Sequence, residues 1–365
     1  MEKRYLILDD GTSFLGEGFG DLSNTTGELI INTDLNGYQE AITDPVYHNQ
    51  IIMFTQPSIG NIGTNPQNYE SIITSAKGIV VNQREDINQS PLKAQNLSEF
   101  LRERQIPGIW KIDTRALRQY VQSHHVQKAS IVNTNDEHAF DQLTAAVLSN
   151  QQIQAVATPK PYLVPGSGMT IVVIDLGLRE SIIRQLAKLN CNIIVVPWDT
   201  DFKGIISLAP EGVVISSGPG APEEIDNTVL ETIIKLQPCL PLFGIGLGHE
   251  LIAIANGATV TKMASGVHGN HHPIRQIITN DILYADQSQT YQIERQSIDN
   301  NRLIITFVDL INNSIQGLRS RDYPTFSVQF SPEGTSGIDS GLDLFAEFTE
   351  SILVRRRLNN NEFGI

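Results

Sequence analysis

From Thr170 onward the chain alternates unbroken apolar runs with segments of helical period: TIVVIDLG, ESIIRQLAKL, NIIVVPWD, GVVISSGPG, a helix near Glu223 to Leu236, LPLFGIGLG, then HELIAIANGA. Runs with no polar face belong to strands covered on both sides, and that requires a parallel sheet with crossover helices. Residues 170–365 are therefore expected to form a doubly wound α/β domain. In such sheets ligands bind at the carboxyl ends of the strands, which here carry Asp175, the SSGPG turn and the GIGLGH turn.

The preceding stretch, QIQAVATPKPYLVPGSGM over residues 152–169, mixes Pro, Gly and Ser without periodicity and reads as a linker. Before it, residues 1–151 carry short β-like runs (Tyr5 to Leu8, Glu28 to Asn32, Gln50 to Thr55, Gly78 to Asn82) punctuated by Gly, Asn and Pro. One amphipathic helix, Thr114 to Ser123, follows Asp113 as its N-cap, so this half is expected to be mixed α and β. A length of 365 residues suits two such cores.

A formal charge of -14 argues against nucleic acid, whose affinity comes from Lys and Arg displacing counterions. Cys191 and Cys239 both sit in apolar runs, with neither a disulfide framework nor zinc spacing. The opening MEKRYLILDDGTSF is too short for a signal-peptide core, and no window approaches the roughly 20 apolar residues of a membrane helix. The expectation is a cytoplasmic chain that binds neither membrane nor nucleic acid.

Six segments carry a resemblance. LPLFGIGLGHELIAIANGA (Leu240 to Ala258) resembles the nucleophile turn of class I glutamine amidotransferases, G-x-C-x-G-H-Q after an apolar strand. SSGPGAP (Ser216 to Pro222) and VQFSPEGTSG (Val328 to Gly337) resemble the same family's Gly-Pro-Gly loop and Gln-x-His-Pro-Glu segment, in the same order. In the first half, GELIINTDLNGYQEAITDPVY, PSIGNIGTN and IDTRALRQYV resemble the domain peculiar to the small subunit of carbamoyl phosphate synthetase. The resemblance runs from Leu6 to about Leu353.

It implies a cysteine thiolate that attacks the glutamine amide, a histidine that accepts and returns the proton, and a glutamate that orients the histidine. The matching positions here are Gly246, Ser331 and Glu333. Glycine has no group to form an acyl-enzyme, and a serine hydroxyl does not titrate near neutrality as imidazole does. Cys239, read as lying on the same strand seven residues earlier and roughly 20 Å away, cannot substitute.

The resemblance also places a glutamine pocket at Val46, Gly218, Gly220, Leu247, Glu250, Ser288, Thr290 and Tyr291. Val46 stands where the family usually has serine, and Glu250 where it has glutamine. DQSQTY (Asp286 to Tyr291), with Gln289 at its centre, replaces a substrate-contacting loop, Gln-Asn-His-Gly-Phe. Unpaired buried polar groups cost about 1–3 kcal/mol each, so glutamine binding is expected to be weak or absent.

Other features take plainer readings. His249 supports the turn. The histidines of GVHGNHHP (Gly266 to Pro273) lack a carboxylate or thiol to complete a metal set, so no metal is expected. The run Arg355 to Arg357 complements the end of a helix.

The resulting expectation is a small subunit of carbamoyl phosphate synthetase whose glutaminase activity is lost. It would dock on and stabilise a large subunit, to which ATP and Mg belong, and hold no cofactor itself. Two alternatives stay open: a working glutaminase with an unrecognised nucleophile, and a regulatory pseudoenzyme competing with an active paralogue. Arginine and pyrimidine pathways are not distinguished.

Overall fold

The structure, a computed structural model, describes residues 2–85, 95–135, 137–146, 148, 151–334 and 343–362. Two compact units divide the chain, residues 1–152 with 264–269, and residues 153–263 with 270–365.

In the first unit, Lys3–Leu8 pairs antiparallel with Ser13–Gly20 on one side and Lys128–Val132 on the other. Lys128–Val132 pairs with Thr25–Asn32, which continues in parallel to Gln50–Phe54, Gly78–Val80 and Pro107–Trp110. Pro107–Trp110 returns to Ser13–Gly20, so these strands close into a barrel. Successive residues of a strand face opposite ways, and both faces here are apolar. Leu29, Ile51 and Met53 belong to one cluster, while Ile30, Ile52 and Phe54 belong to another. The helix Thr114–His124 packs Leu117 and Val121 on the first cluster, and the Asp113 side chain accepts from the N–H groups of Arg115 and Ala116 at its start.

In the second unit the parallel strands run in the spatial order Asn192–Pro197, Thr170–Asp175, Gly212–Ile215, Leu242–Ile245 and Thr325–Val328. Antiparallel strands Ile315–Ser320 and Leu303–Asp309 extend the far edge. Ile171 and Val173 pack on one face with Ile182, Leu186, Phe348 and Ile352. Val172 and Ile174 pack on the other with Ile205, Val229, Ile233 and Leu251. This two-sided burial is why the strands read as continuous apolar runs, and the mixed domain followed by a doubly wound one is the architecture the sequence predicts.

Several local expectations are corrected. The segment 152–169 contains a helix, Gln152–Val156, and an edge strand, Tyr162–Val164, antiparallel to Asn192–Pro197. The helix expected from Glu223 begins at Asn227, because Pro222–Glu224 forms a separate single turn and Asp226 caps the helix proper. Arg355 to Arg357 lie inside the helix Leu344–Glu362 rather than beyond it. There Arg355 donates to the Pro238 carbonyl at 3.1 Å and Arg356 lies 3.6 Å from Glu211, so these side chains serve the helix flank.

Candidate active site

The switch in strand order falls between Thr170–Asp175 and Gly212–Ile215, where the chain leaves in opposite directions and opens a crevice. Asp175, at the strand's carboxyl end, is fully engaged. Its Oδ1 accepts from Gly177 and Leu178 N–H at 2.9 and 2.8 Å, and its Oδ2 accepts from Thr158 N–H at 2.7 Å. The turn so fixed delivers Arg179 to the start of the helix Glu180–Lys188.

Arg179 is buried, and its Nη1 donates to the hydroxyl of Ser331. The same nitrogen lies 3.6 Å from Glu333 Oε1, and Nη2 lies 3.5 Å from Ser288 Oγ. Glu333 also accepts from Ser181 Oγ at 3.4 Å, and its backbone carbonyl accepts from Gln185 at 2.9 Å. Ser331, Glu333 and Ser288 are thus gathered around a guanidinium. Arg179 was not among the residues singled out from the sequence; a lone cation between a strand end and an amphipathic helix was its available signal.

The strand Leu242–Ile245 leads into Gly246, which has φ 56° and ψ -112° and starts the helix Leu247–Ala255. Gly246 N–H donates to Val328 carbonyl at 2.9 Å, while its own carbonyl accepts from His249 and Glu250 N–H at 3.0 and 3.2 Å. A Cβ on Gly246 would lie 3.2 Å from Ser217 Cβ and 4.0 Å from the Gln329 carbonyl oxygen. The space is tight yet open. Gly218 lies so close to the Leu176 carbonyl that a Cβ would come within 2.1 Å of it, and Gly220 takes φ 95°. Leu247 buries its side chain in the apolar cluster behind the elbow.

Two ionisable groups follow the elbow. His249 is fully buried with Nδ1 2.8 Å from Ser327 Oγ, and desolvation pushes its pKa down to about 3. It is neutral at physiological pH. Glu250 is also buried; desolvation pushes its pKa up to about 8 against the opposing hydrogen bond from Gln329 Nε2 at 3.0 Å. Its carboxyl is largely protonated at neutrality.

Asp286 to Tyr291 form no loop. They lie within the strand Ile282–Ile293, and Ser331 N–H donates to Asp286 carbonyl at 2.9 Å. Gln287 and Gln289 are buried, whereas Ser288, Thr290 and Tyr291 are half-buried. Val46 belongs to the first unit, in the single turn Pro45–Tyr47, with its N–H on the Asp44 carboxylate at 3.0 Å. Cys239 is exposed in the turn between the helix Asn227–Leu236 and the strand starting at Leu242, not on the strand, because Pro238 and Pro241 bracket it. Cys191 is buried, and desolvation raises its pKa. Of VQFSPEGTSG, residues 335–337 lie outside the described residues.

His268 groups with the first unit, its ring 5.6 Å from that of Tyr47. Among the described residues no group of three or more His, Cys, Asp or Glu is placed to hold a metal ion. Nor is any helix among them long and apolar enough to cross a membrane.

Residues 6–131 match the family model described as carbamoyl-phosphate synthase small chain, CPSase domain, and residues 172–350 match glutamine amidotransferase class-I. The chain is 43% identical over 354 residues to the carbamoyl phosphate synthase small chain of Streptococcus mutans, covering 96% of this chain and 97% of that one. This chain belongs to the carbamoyl phosphate synthase small-chain family. Similar small chains come from Streptococcus pneumoniae, 41% identical over 98% of this chain and 100% of that one, and from Lactococcus lactis, 41% identical over 96% and 98%. Both matched segments are spanned by the described elements, and the second contains Gly246 and Ser331.

Proposed function

We propose that this chain is the small subunit of a carbamoyl phosphate synthase, that it has lost its own glutaminase chemistry, and that it docks on and stabilises a large subunit. ATP and Mg are used by that partner, and nitrogen arrives as ammonia from solution. The observation that carries this reading is the elbow: the backbone of a nucleophile turn surrounds Gly246, and Arg179 rather than an imidazole engages Ser331 and Glu333. No thiol reaches the elbow, and the buried His249 is held too acidic to serve as a base.

The test is to co-express the chain with its cognate large subunit and compare nitrogen donors. Carbamoyl phosphate should form from ammonia, with little or none from glutamine; equal rates from both donors would sink the proposal. A second reading, a surviving glutaminase, has one specific feature in its favour. The Ser217 hydroxyl lies beside the elbow, buried and without a hydrogen-bond partner among the described residues. Glutamate release that disappears in Ser217→Ala would establish that reading.

A further inference from the structure

The sequence contains two Asn–Gly pairs, Asn36–Gly37 and Asn256–Gly257, and the fold treats them in opposite ways. The side-chain amide of an asparagine is open to attack by the backbone nitrogen that follows it, most of all where that residue is glycine and no Cβ stands in the path. The attack needs a nitrogen not committed to a hydrogen bond and a pair that water reaches.

Asn256 and Gly257 close the helix Leu247–Ala255. Asn256 is buried, its N–H donates to the carbonyls of Ile252 and Ala253 at 3.2 and 3.1 Å, and the Gly257 N–H donates to the Ile254 carbonyl at 2.9 Å. The nucleophile is occupied there, so the pair reacts only when the helix end opens. Asn36, by contrast, is exposed, in a bend ahead of the helix Tyr38–Thr43. The Gly37 N–H has no acceptor among the described residues. Gly37 takes φ 82° and ψ 22°, and the atom nearest a Cβ built there is Glu40 Oε2, at 3.7 Å, so the surroundings are open. The left-handed backbone selects glycine at this position, and the reactivity of the pair comes with it.

The helix that follows grips the segment 60–70 through its side chains. Tyr38 OH donates to the Gly63 carbonyl at 2.5 Å, Gln39 Oε1 accepts from Asn65 N–H at 2.5 Å, and Thr43 Oγ1 accepts from Glu70 N–H at 3.0 Å. A change in the main chain directly before Gly37 is therefore passed to three anchor points.

We propose that Asn36–Gly37 is a self-modification site, at which the chain converts Asn36 to aspartate and isoaspartate, and that the isoaspartyl form loosens the helix's grip on residues 60–70. Gly37 N bonds to Asn36 Cγ, the Cγ–Nδ2 bond breaks, and ammonia leaves with the proton from Gly37 N. Water then opens the cyclic imide at either carbonyl. One opening gives aspartate, and the other gives isoaspartate, which lengthens the main chain by one carbon ahead of the helix.

The experiment is incubation of the full chain at mildly alkaline pH, followed by peptide mapping that separates the asparagine, aspartate and isoaspartate forms of both pairs. Asn36 should convert at least roughly tenfold faster than Asn256, at a rate that rises with hydroxide concentration. Asn36→Gln should abolish conversion at this position, since a longer side chain closes the ring far less readily. Hydrogen exchange at the Asn65 and Glu70 amides should be severalfold faster in the isoaspartyl chain than in fresh chain, and unchanged in Asn36→Gln incubated alongside. An Asn36 that stays intact, equal conversion at the two pairs, or unaltered exchange at Asn65 and Glu70 in converted chain would overturn the proposal. None of these outcomes bears on whether glutamine or ammonia is the nitrogen donor.

Discussion

At Gly246 the backbone occupies a region with φ 56° and ψ -112° that side chains adopt only at a cost, about 1–3 kcal/mol. Glycine at this position therefore avoids a strain that any side chain would carry. Gly246→Ala should lower stability by about 1–3 kcal/mol in denaturant unfolding. Gly246→Cys should add no glutamate release, since Ser331 supplies no base. Arg179 answers to a different energy. With the side chains of Arg179 and Glu333 almost wholly buried, Arg179→Met takes the guanidinium away from a buried carboxylate and should cost about 3–5 kcal/mol, of which Arg179→Met with Glu333→Leu recovers a large part. Glu250 makes stability depend on pH. Its folded pKa of about 8 lies above the ordinary 4.5, so its contribution is complete below pH 4.5 and is lost as pH rises through 8. Glu250→Gln should be no more stable than the parent at pH 4.5, and more stable by roughly 2–4 kcal/mol at pH 8. Gly246 and Ser331 were legible because intact motifs flank them. Arg179 was not, because its partners Ser288, Ser331 and Glu333 are more than a hundred residues away in sequence and only the fold assembles them.

Among the elements, the turn after Thr170–Asp175 depends on a single carboxylate. Asp175→Ala removes the acceptor of three backbone N–H groups, at Thr158, Gly177 and Leu178. Hydrogen exchange at Thr158 and at 177–178 should then accelerate by tenfold or more, on the order of 1.4 kcal/mol or above, with exchange in Thr325–Val328 unchanged. Some elements were hidden from sequence for identifiable reasons. Asp286 to Tyr291 alternate in burial as a strand does, yet both faces are polar, so period two leaves no hydrophobic trace. Prolines at 238 and 241 delayed the strand that an apolar spelling extended back to Cys239. By contrast, the strands of the second unit were legible because two apolar faces leave an unmistakable run.

For the molecule as a whole, the second unit's fold could be read and the first unit's closure could not. A barrel closed by Pro107–Trp110 returning to Ser13–Gly20 depends on pairings across nearly a hundred residues that no local pattern announces. One feature of the division constrains how such a chain can change over generations. Residues 264–269 belong to the first unit, where Thr33 N–H donates to His268 carbonyl at 3.0 Å, although the strand Val260–Gln276 that holds them begins and ends in the second. Neither half is one uninterrupted stretch of gene. Deleting the amidotransferase half, or recombining it with another, would remove or replace a piece of the barrel unit as well. Inheritance then favours change by point substitution over loss of the whole half.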